Sequence, residues 1–482
     1  MVVEGEIPGW LEGAYLRNGP GLFEAGERRL EHWFDGYAML LRVSFGGAGK
    51  SPCLTTRFVA SDAEAAVRRG SMGFPEFMTP LLAPGSGWMG AVRSFVALAA
   101  GEPTDNACVN VVRHGGELLA MTETQRSWFR IDPVTLQTRG RVQWSGAPVG
   151  QLGTAHPQHD PAGGGMINVG TAISPPFSSS YQVYRMPAEA PWERELLASI
   201  PCDDRAAPRW MHSFGVTRRA VVLIEQPAAY AVGAMVGVAT ASHGSIQWKG
   251  ERGTRVHVLD RKSGAVRTHV MEPFFFFHVC NSFDLDGDNG GVSVDVCVFD
   301  DPEILTSLSL ARLTDESLAR DLPPSRICRL TLPTSGAPSL TPLDDEDVSG
   351  GFADLPTIHP DSAGNSAYRF VWGIGASRPT TVSNRLVKSD VTGGGGDAAF
   401  EVEGMLPGEP LFVPRPDGAA EDDGVLLSMG SDPDGGSSLY VLCAAEMRLL
   451  ARCRSPEPLP AGFHGEWVPS GARAMPADDL QC

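Results

Sequence analysis

Lysine is nearly absent from this sequence, and acidic residues outnumber basic ones. Only four of the 482 residues are lysine, and 57 acidic side chains against 39 lysines and arginines give a formal net charge of -18 at pH 7. Nucleic acids and anionic lipid headgroups select for basic protein faces, so this balance argues against both. We therefore expect no nucleic-acid partner, and any membrane contact would have to be apolar.

The sequence also contains no CxxC motif and no recognisable export signal at its start. The nine cysteines are an odd number without a CxxC pair, which favours neither a zinc site nor a disulfide framework. The start, MVVEGEIPGW, has no basic segment followed by an apolar one, so no secretory signal is expected. These features predict an intracellular, reducing compartment, either the cytoplasm or a plastid.

Long hydrophobic runs are missing as well. No stretch is apolar over the roughly 18 residues or more that a membrane-spanning helix needs. Residues 80–100, PLLAPGSGWMGAVRSFVALAA, come nearest, but Pro84, Gly85 and Arg93 interrupt them. The segment is interpreted either as buried or as a patch that makes a peripheral contact with a membrane surface.

The sequence does contain many short strand patterns. Runs rich in Val, Ile, Phe, Tyr and Leu alternate with Gly, Pro, Asp and Asn turns from about residue 105 to about residue 455. Gly115-Gly116 and Lys262-Ser263-Gly264 are typical hairpin turns. The best helix candidates, residues 61–70 and 304–321, would lie in loops between strands. An all-β sandwich pair or propeller is predicted.

Four of the eleven histidines have small or apolar neighbours at a predicted strand or turn. They are His156 in GTAHPQHDP, His212 in RWMHSFGVT, His278 in FFFFHVCNSFD and His464 in GFHGEW. Four neutral imidazoles that converge on one axis would hold a divalent transition metal and leave open positions for a small molecule. However, no two form a local motif such as HExxH, and a histidine among aromatics is commonly a packed core residue. The residues alone leave both interpretations open.

Several blocks resemble the carotenoid cleavage oxygenases. The resemblance begins in EIPGWLEGAYLRNGPGLFEAG and HWFDGYAML and continues in MTETQRSWFRIDPVTLQTRGRV, TAHPQHDP, MHSFGVT, FHVCNSFD, LVKSDV, GEPLFVPRP, EDDGVLL and GFHGEW. The blocks run in family order from Ile7 to about Trp467. They thus cover essentially the whole chain and agree in order and spacing.

The resemblance implies a fold and a metal site. The expected fold is all-β, a seven-bladed β-propeller formed by residues 1–482 as a single domain, with loop and helix insertions that cap an axial iron site. The expected cofactor is iron(II), Fe(2+). The family's four ligand positions fall on His156, His212, His278 and His464, which would be both metal-binding and catalytic.

The resemblance also implies residues around the ligands. Three carboxylates that accept hydrogen bonds from the far ring nitrogens match Glu123, Asp354 and Glu409. Asp354 stands where the family usually has glutamate, so we expect either a water-bridged contact or a shifted strand. Thr122 matches a family position that crowds the site opposite one ligand. Gly462 and Gly465 are expected to let the backbone turn tightly, so that the His464 ring reaches the axis.

The implied reaction is oxidative cleavage of a carbon–carbon double bond of a carotenoid or apocarotenoid by O2, giving carbonyl products from a long apolar polyene. The sequence disfavours three alternatives. Stilbenoid cleavage is disfavoured because family members use a lysine to bind a phenol near the metal, and no lysine lies between Lys50 and Lys249. An isomerohydrolase is disfavoured because a PDPCK-like block is missing. A propeller that binds an apolar ligand without turnover is disfavoured because all four histidines remain.

Overall fold

Antiparallel strands dominate the computed structural model, which describes residues 1–72, 76–79, 92, 96, 103–173, 178–235, 241, 243–286, 290–343 and 351–471. The strands form seven larger sheets, the blades of a β-propeller. The predicted all-β class and the seven-bladed propeller are therefore confirmed.

Each blade has four or more strands, numbered here by the order in which the blades appear along the chain. The strands of each blade are given from the inner to the outer edge. Blade 1 contains Gly465–Pro469, Glu12–Leu22, Tyr37–Gly46 and Cys53–Phe58; blade 2 contains Asn110–His114, Glu117–Met121, Phe129–Ile131 and Thr138–Arg141; blade 3 contains Leu152–Gly153 with Gln158–His159, then Met166–Ala172, Ser180–Met186, Glu193–Pro201 and Ser145–Gly146; and blade 4 contains Gly215–Val216, Ala220–Glu225, Thr254–Asp260 and Val266–Met271. Blade 5 contains Phe275–Asp284, Gly291–Phe299, Ser325–Pro333 and Ser339–Pro342; blade 6 contains Phe352–Thr357, Phe370–Gly375, Arg385–Asp390 and Ala398–Glu401; and blade 7 contains Leu406–Pro407 with Leu411–Pro414, then Gly424–Ser431, Ser437–Cys443, Arg448–Arg454 and Val2–Gly5.

Segments from both ends of the chain close the ring. Val2–Gly5 pairs antiparallel with Arg448–Arg454 and so becomes the outermost strand of blade 7. Gly465–Pro469 pairs antiparallel with Glu12–Leu22 and becomes the innermost strand of blade 1. Early and late residues are thus interleaved in neighbouring blades, and this arrangement brings residues near position 464 to the propeller axis.

The two predicted hairpins are present, and their glycines explain their turns. His114 pairs with Glu117 across Gly115 and Gly116, whose φ angles are 57° and 77°. The second hairpin joins Thr254–Asp260 to Val266–Met271, with Gly264 at φ 73°. Such left-handed backbone angles cost glycine little, and they match the twist of antiparallel strands.

The helices whose bounds are described are short and lie between strands. The first candidate forms the helix Asp62–Arg68, where the Ser61 side chain accepts a hydrogen bond from the Glu64 backbone N–H at the N-terminus. The second candidate divides into Glu303–Ser307 and Leu310–Thr314. Further elements within the described residues are the helix Val232–Met235, the 3₁₀ turns Trp33–Asp35, Gly250–Arg252 and Pro360–Ser362, and two small hairpins formed by Glu24–Ala25 with Arg28–Arg29 and by Ala228–Tyr230 with Ile246–Trp248.

Membrane contact was predicted for residues 80–100, which lie outside the described residues except for positions 92 and 96. Among the helices that are described, none is long and apolar enough to cross a bilayer.

The apolar core lies mainly between the faces of neighbouring blades. Between blades 4 and 5, for example, Val222, Val258, Phe276, Val294 and Leu330 are all buried in one cluster. Burying a side chain of this size stabilises the fold by roughly 1.5–3 kcal/mol relative to exposure. Such packing holds the blades face to face and fixes where their inner edges point.

Candidate metal centre

The four predicted histidines come together at the inner edges of four different blades. Their ligand-capable nitrogens all lie within 4.8 Å of one another, a spacing that could hold a metal ion. The positions are His156 between the two inner strands of blade 3, His212 before the inner strand of blade 4, His278 within that of blade 5 and His464 before that of blade 1.

The three predicted carboxylates come from the other three blades and contact three of the histidines. Glu123 follows a strand of blade 2, Asp354 lies in blade 6, and Glu409 lies between the inner strands of blade 7. Each accepts a hydrogen bond from an imidazole Nδ1: Glu123 from His212, Asp354 from His278 at 2.9 Å, and Glu409 from His464 at 2.7 Å. Each of the seven blades therefore supplies one of these seven histidines and carboxylates.

These carboxylates decide which ring nitrogens carry protons. An ionised carboxylate can only accept, so an imidazole that is bound to it in the neutral form carries its proton on Nδ1 and presents Nε2 as a bare acceptor. Nevertheless, His278 Nε2 lies 3.2 Å from Nε2 of both His212 and His464. Two bare acceptors repel at this distance, whereas a cation placed among them would be attracted to both. The donor set thus fits a metal ion.

The fourth imidazole supports the same conclusion. His156 Nε2 is buried, and it forms no hydrogen bond with the described part of the chain. Its ring centroid lies 4.5–4.9 Å from those of the other three histidines. A buried nitrogen without a partner is costly, and metal coordination would satisfy it.

Burial keeps part of this set neutral. It lowers the pKa of His156 well below its ordinary value, and the neighbouring histidines His464, His212 and His278 lower that pKa further. Burial also lowers the pKa of His464, although the Glu409 carboxylate acts in the opposite direction. A metal ligand must be deprotonated at the coordinating nitrogen, so a low imidazole pKa favours binding.

Glu409 is held in its ionised form. Burial alone would raise the pKa of Glu409, but the neighbouring His464 and the Arg17 guanidinium lower it, and the net direction is down. Arg17 Nη1 lies 2.5 Å from Glu409 Oε2 and 2.7 Å from the Phe463 carbonyl oxygen. The Gly465 backbone N–H donates to the same carboxylate oxygen at 3.1 Å.

Asp354 reaches His278 directly rather than through water, despite its short side chain. The pairing of its strand with Phe370–Gly375 shifts register on both sides of Asp354, and the next residue, Leu355, has φ 56°. Left-handed backbone is uncommon for a residue other than glycine, and such irregular strands redirect side chains. The structure thus has a direct contact on an irregular strand, as in the expectation of a shifted strand, and not a water-bridged contact.

The glycines beside His464 have a different role from the one expected. Neither Gly462 nor Gly465 lies among the positive-φ glycines, so a left-handed turn does not explain them. A Cβ on Gly465 would instead lie 2.0 Å from the Leu16 carbonyl oxygen, and one on Gly462 would lie 2.7 Å from Arg17 Cγ. These positions need glycine because neighbouring atoms approach closely.

A cavity of about 530 Å³ opens onto the centre. His212, His278 and His464 form part of its wall, and the rest of the wall is mainly apolar. Its aromatic lining comprises Phe23, Trp33, Phe34, Phe77, Trp210, Tyr230, Phe277, Phe299 and Phe463. No lysine or arginine among the described residues lines it. Thr122 also lies in the wall, and its predicted crowding of the site remains a prediction.

Two further residues at the centre, Arg17 and Trp210, were not predicted from the sequence. Arg17 binds Glu409, which is 392 positions away along the chain, so local sequence gives no sign of the pair. Trp210 donates its indole N–H to Glu123 at 2.7 Å. Its position two residues before His212, in RWMH, was a signal that could have been used, because alternate residues of an extended segment share a face.

Comparison with known proteins identifies the family. A family model described as RPE65, retinal pigment epithelial membrane protein, matches residues 1–469. The protein belongs to the carotenoid cleavage oxygenase family. It is 35% identical over 479 residues to the carotenoid cleavage dioxygenase 8 homolog A, chloroplastic, of Oryza sativa subsp. japonica, a match that covers 98% of this chain and 85% of the relative. The relatives are named as dioxygenases, and this carotenoid cleavage oxygenase is an enzyme of that class.

Solved structures of the family share the fold. A Glu-to-Gln variant of the Synechocystis apocarotenoid oxygenase is 25% identical, with a TM-score of 0.79 and coverage of 97% of this chain and 95% of that one. A cobalt-substituted form of the same Synechocystis protein has a TM-score of 0.78 at 25% identity and the same coverage. These neighbours agree with a propeller built around a metal centre.

Proposed function

We propose that this carotenoid cleavage oxygenase is an iron(II) dioxygenase that cleaves one carbon–carbon double bond of a carotenoid or apocarotenoid with O2. Both oxygen atoms enter the products, so that one C=C bond becomes two C=O groups and no further oxidant is needed. One observation carries the proposal: imidazoles whose Nδ1–H groups are bound to carboxylates point bare Nε2 atoms together, in the wall of an apolar cavity.

His156, His212, His278 and His464 are the proposed ligands, and Glu123, Asp354 and Glu409 orient three of them. The charge of the surrounding groups favours a divalent ion, because it would make a neutral assembly with the three carboxylates and Arg17. Four neutral nitrogen ligands suit a transition metal such as iron(II). When bound, iron(II) supplies the redox chemistry that allows O2 to react with an alkene.

The chain's own contribution to the reaction is to position the substrate. A mostly apolar wall matches a polyene, excludes water and holds the chain by contact area rather than by directed hydrogen bonds. Placing one double bond next to the metal would turn an encounter in solution into an effectively intramolecular reaction, and such positioning can lower a barrier by roughly 7–11 kcal/mol. O2 and a long apolar polyene are therefore the proposed substrates.

Stilbenoid cleavage is the second candidate, and the positions of the lysines count against it. Lys388 Nζ lies 2.6 Å from Asp422 and Lys249 Nζ lies 3.3 Å from Asp204, so both are engaged in ion pairs. Neither lysine lines the described cavity wall. The reducing compartment, the peripheral membrane contact and the single domain spanning residues 1–482 remain predictions.

The test of the function is product analysis by mass spectrometry. Protein loaded anaerobically with iron(II) would be supplied with O2 in separate reactions that contain a full-length carotenoid, an apocarotenal or a stilbenoid. We expect paired carbonyl products from at least one polyene, with both atoms of isotopically labelled O2 recovered in them. Products from the stilbenoid alone would favour the second candidate.

His464→Ala is the matched negative control, and His159→Ala, which alters an exposed histidine, is the positive one. We expect the first variant to lose bound iron and product, and the second to keep both. If the wild-type protein binds iron and leaves every polyene and the stilbenoid intact, the proposed reaction is wrong and a propeller that only binds a ligand is favoured.

A further inference from the structure

The two glutamates of the centre are anchored on different sides. In each, one carboxylate oxygen accepts from an imidazole and the other has a separate donor. Glu409 Oε2 is bound by Arg17, which is buried and does not line the cavity. Glu123 Oε2 is bound by the indole N–H of Trp210, a residue of the cavity wall. Of the two glutamates, Glu123 is therefore the one whose donor side chain lies in the surface that a substrate would touch.

Trp210 is well placed for this connection. It is 1% exposed, and its backbone N–H donates to the Ala228 carbonyl oxygen at 2.7 Å, which fixes the main chain. Its ring centroid lies 5.0 Å from that of His212 and 5.1 Å from that of Phe77, which lines the same cavity. The indole thus contacts an aromatic wall residue and His212, and it hydrogen-bonds the carboxylate that orients His212.

The physical effect follows from the cost of an unpartnered carboxylate oxygen. In an apolar environment, an anion that loses a hydrogen-bond donor is destabilised, and it relieves this by moving toward any remaining donor. Glu123 would then hold the His212 ring less rigidly, because the same carboxylate fixes its tautomer and orientation. Changes at the indole would be transmitted to His212 Nε2 through two hydrogen bonds.

We propose that Trp210 is a positioning residue that couples occupancy of the substrate cavity to the orientation of His212. A polyene packed against the indole changes the hydrogen bond to Glu123, and through it the metal environment. Because coupling between two binding events is reciprocal, the metal and the polyene alter each other's affinity by the same factor. This inference rests on the proposed role of His212 as a metal ligand, but it does not require that the polyene be cleaved.

Cobalt(II) allows the coupling to be measured without turnover. Wild-type protein and Trp210→Phe, which keeps an aromatic ring but lacks the N–H, would be titrated with Co(II) and their visible absorption spectra recorded. We expect Co(II) affinity to fall by about tenfold in the variant, the lower end of the range for residues that support metal ligands. We also expect all-trans-retinal, used as an apolar polyene probe, to change the Co(II) spectrum of the wild type and not that of Trp210→Phe.

Two further variants separate the hydrogen bond from the shape of the cavity. Phe77→Leu trims the neighbouring wall without removing a hydrogen bond, and we expect it to weaken retinal binding while leaving Co(II) affinity unchanged. In a double-mutant cycle, Trp210→Phe should have no further effect on Co(II) affinity once Glu123→Gln is present, because the indole acts through Glu123. Thermal unfolding of the metal-free proteins checks that each variant is folded.

Three results would contradict the proposed role of Trp210. Unchanged Co(II) affinity in folded Trp210→Phe, an equal loss in Phe77→Leu, or additive effects with Glu123→Gln would each overturn the inference. Failure of the wild type to cleave any polyene, with the Co(II) results as expected, would refute the proposed reaction and leave the coupling established. Failure of the wild type to bind Co(II) would overturn both.

Discussion

Arg17 and Glu409 form a buried ion pair where the propeller closes. The guanidinium Nη1 lies 2.5 Å from Glu409 Oε2, and the two side chains are only 4% and 10% exposed. Arg17 belongs to blade 1 and Glu409 to blade 7, and the same carboxylate accepts from His464 Nδ1. One group therefore contributes both to closing the ring and to orienting a proposed ligand.

Replacing Arg17 should weaken both the closure of the ring and the orientation of His464. Arg17→Met leaves Glu409 as an uncompensated buried charge, and breaking such a pair costs about 3–5 kcal/mol in the free energy of unfolding. Denaturant unfolding and metal content by mass spectrometry measure the two effects. Arg68→Met removes an exposed pair with Glu64 and should change stability by no more than about 0.5 kcal/mol. An equal loss of unfolding free energy and of bound metal in Arg17→Met and Arg68→Met would contradict this account.

Asp354 offers a test of how strand and side chain are matched. Although glutamate is usual in the family, the irregular strand already brings the aspartate to 2.9 Å from His278 Nδ1. The extra methylene of Asp354→Glu should therefore overpack the site, at a cost of about 1–3 kcal/mol. Asp354→Asn should lower metal affinity by about 10- to 100-fold, because it removes the acceptor charge. An Asp354→Glu variant that binds metal more tightly than the wild type would contradict the match.

Asp35 predicts a pH dependence of stability. Burial raises the pKa of this carboxyl from 3.8 to about 7. Between these values the folded state keeps a proton that the unfolded state releases, so the unfolding free energy falls as pH rises. The slope from this group is about 1.4 kcal/mol per pH unit at most. Asp35→Asn removes the contribution, so denaturant unfolding across the window should give a flatter profile than the wild type.

Asp132 is the control for that experiment. Its hydrogen bonds and Arg139 outweigh burial and lower its pKa from 3.8 to about 2, so its stabilisation is present above this range and is lost as pH falls through it. Asp132→Asn should therefore leave the slope between about pH 4 and about pH 7 unchanged. A wild-type slope that persists in Asp35→Asn would show that another group titrates.

Gly465 tests the close approach beside His464. In Gly465→Ala the added Cβ would meet the Leu16 carbonyl oxygen at 2.0 Å, a backbone atom that cannot move aside without disturbing the strand pair. We expect destabilisation of about 3 kcal/mol, the upper end of the usual range for overpacking, and loss of bound metal. Gly9→Ala, whose Cβ would meet nothing nearer than 3.4 Å, is the matched control in thermal unfolding and should resemble the wild type.

Local features of the sequence were the ones that could be predicted. Gly115-Gly116 and Gly264 mark hairpins because their preferred backbone angles are a property of the residues themselves. The four histidines could be selected by their neighbours, but only the resemblance to a family assigned them to one centre. Their convergence depends on the packing of whole blades, which no short segment encodes.

The remaining features arise from long-range geometry. The Arg17–Glu409 pair joins residues 392 positions apart. The direct contact of Asp354 depends on shifts in strand register and on the backbone of Leu355. Gly462 and Gly465 were predicted to permit a tight turn, whereas the close approach of neighbouring atoms, and not a left-handed backbone angle, determines the need for glycine there.

Every blade supplies either a histidine or a carboxylate to the centre, and this has a consequence for evolution. Propellers built from repeats can in principle gain or lose a blade, because each blade packs mainly against its neighbours. Here, deleting any blade would remove either a metal-facing imidazole or a group that orients one. An inserted blade would widen the ring and separate imidazoles that now lie within 4.8 Å. The number of blades is thus constrained by coordination chemistry. We expect the fold to vary through substitutions in loops and outer strands, and not through the gain or loss of a blade.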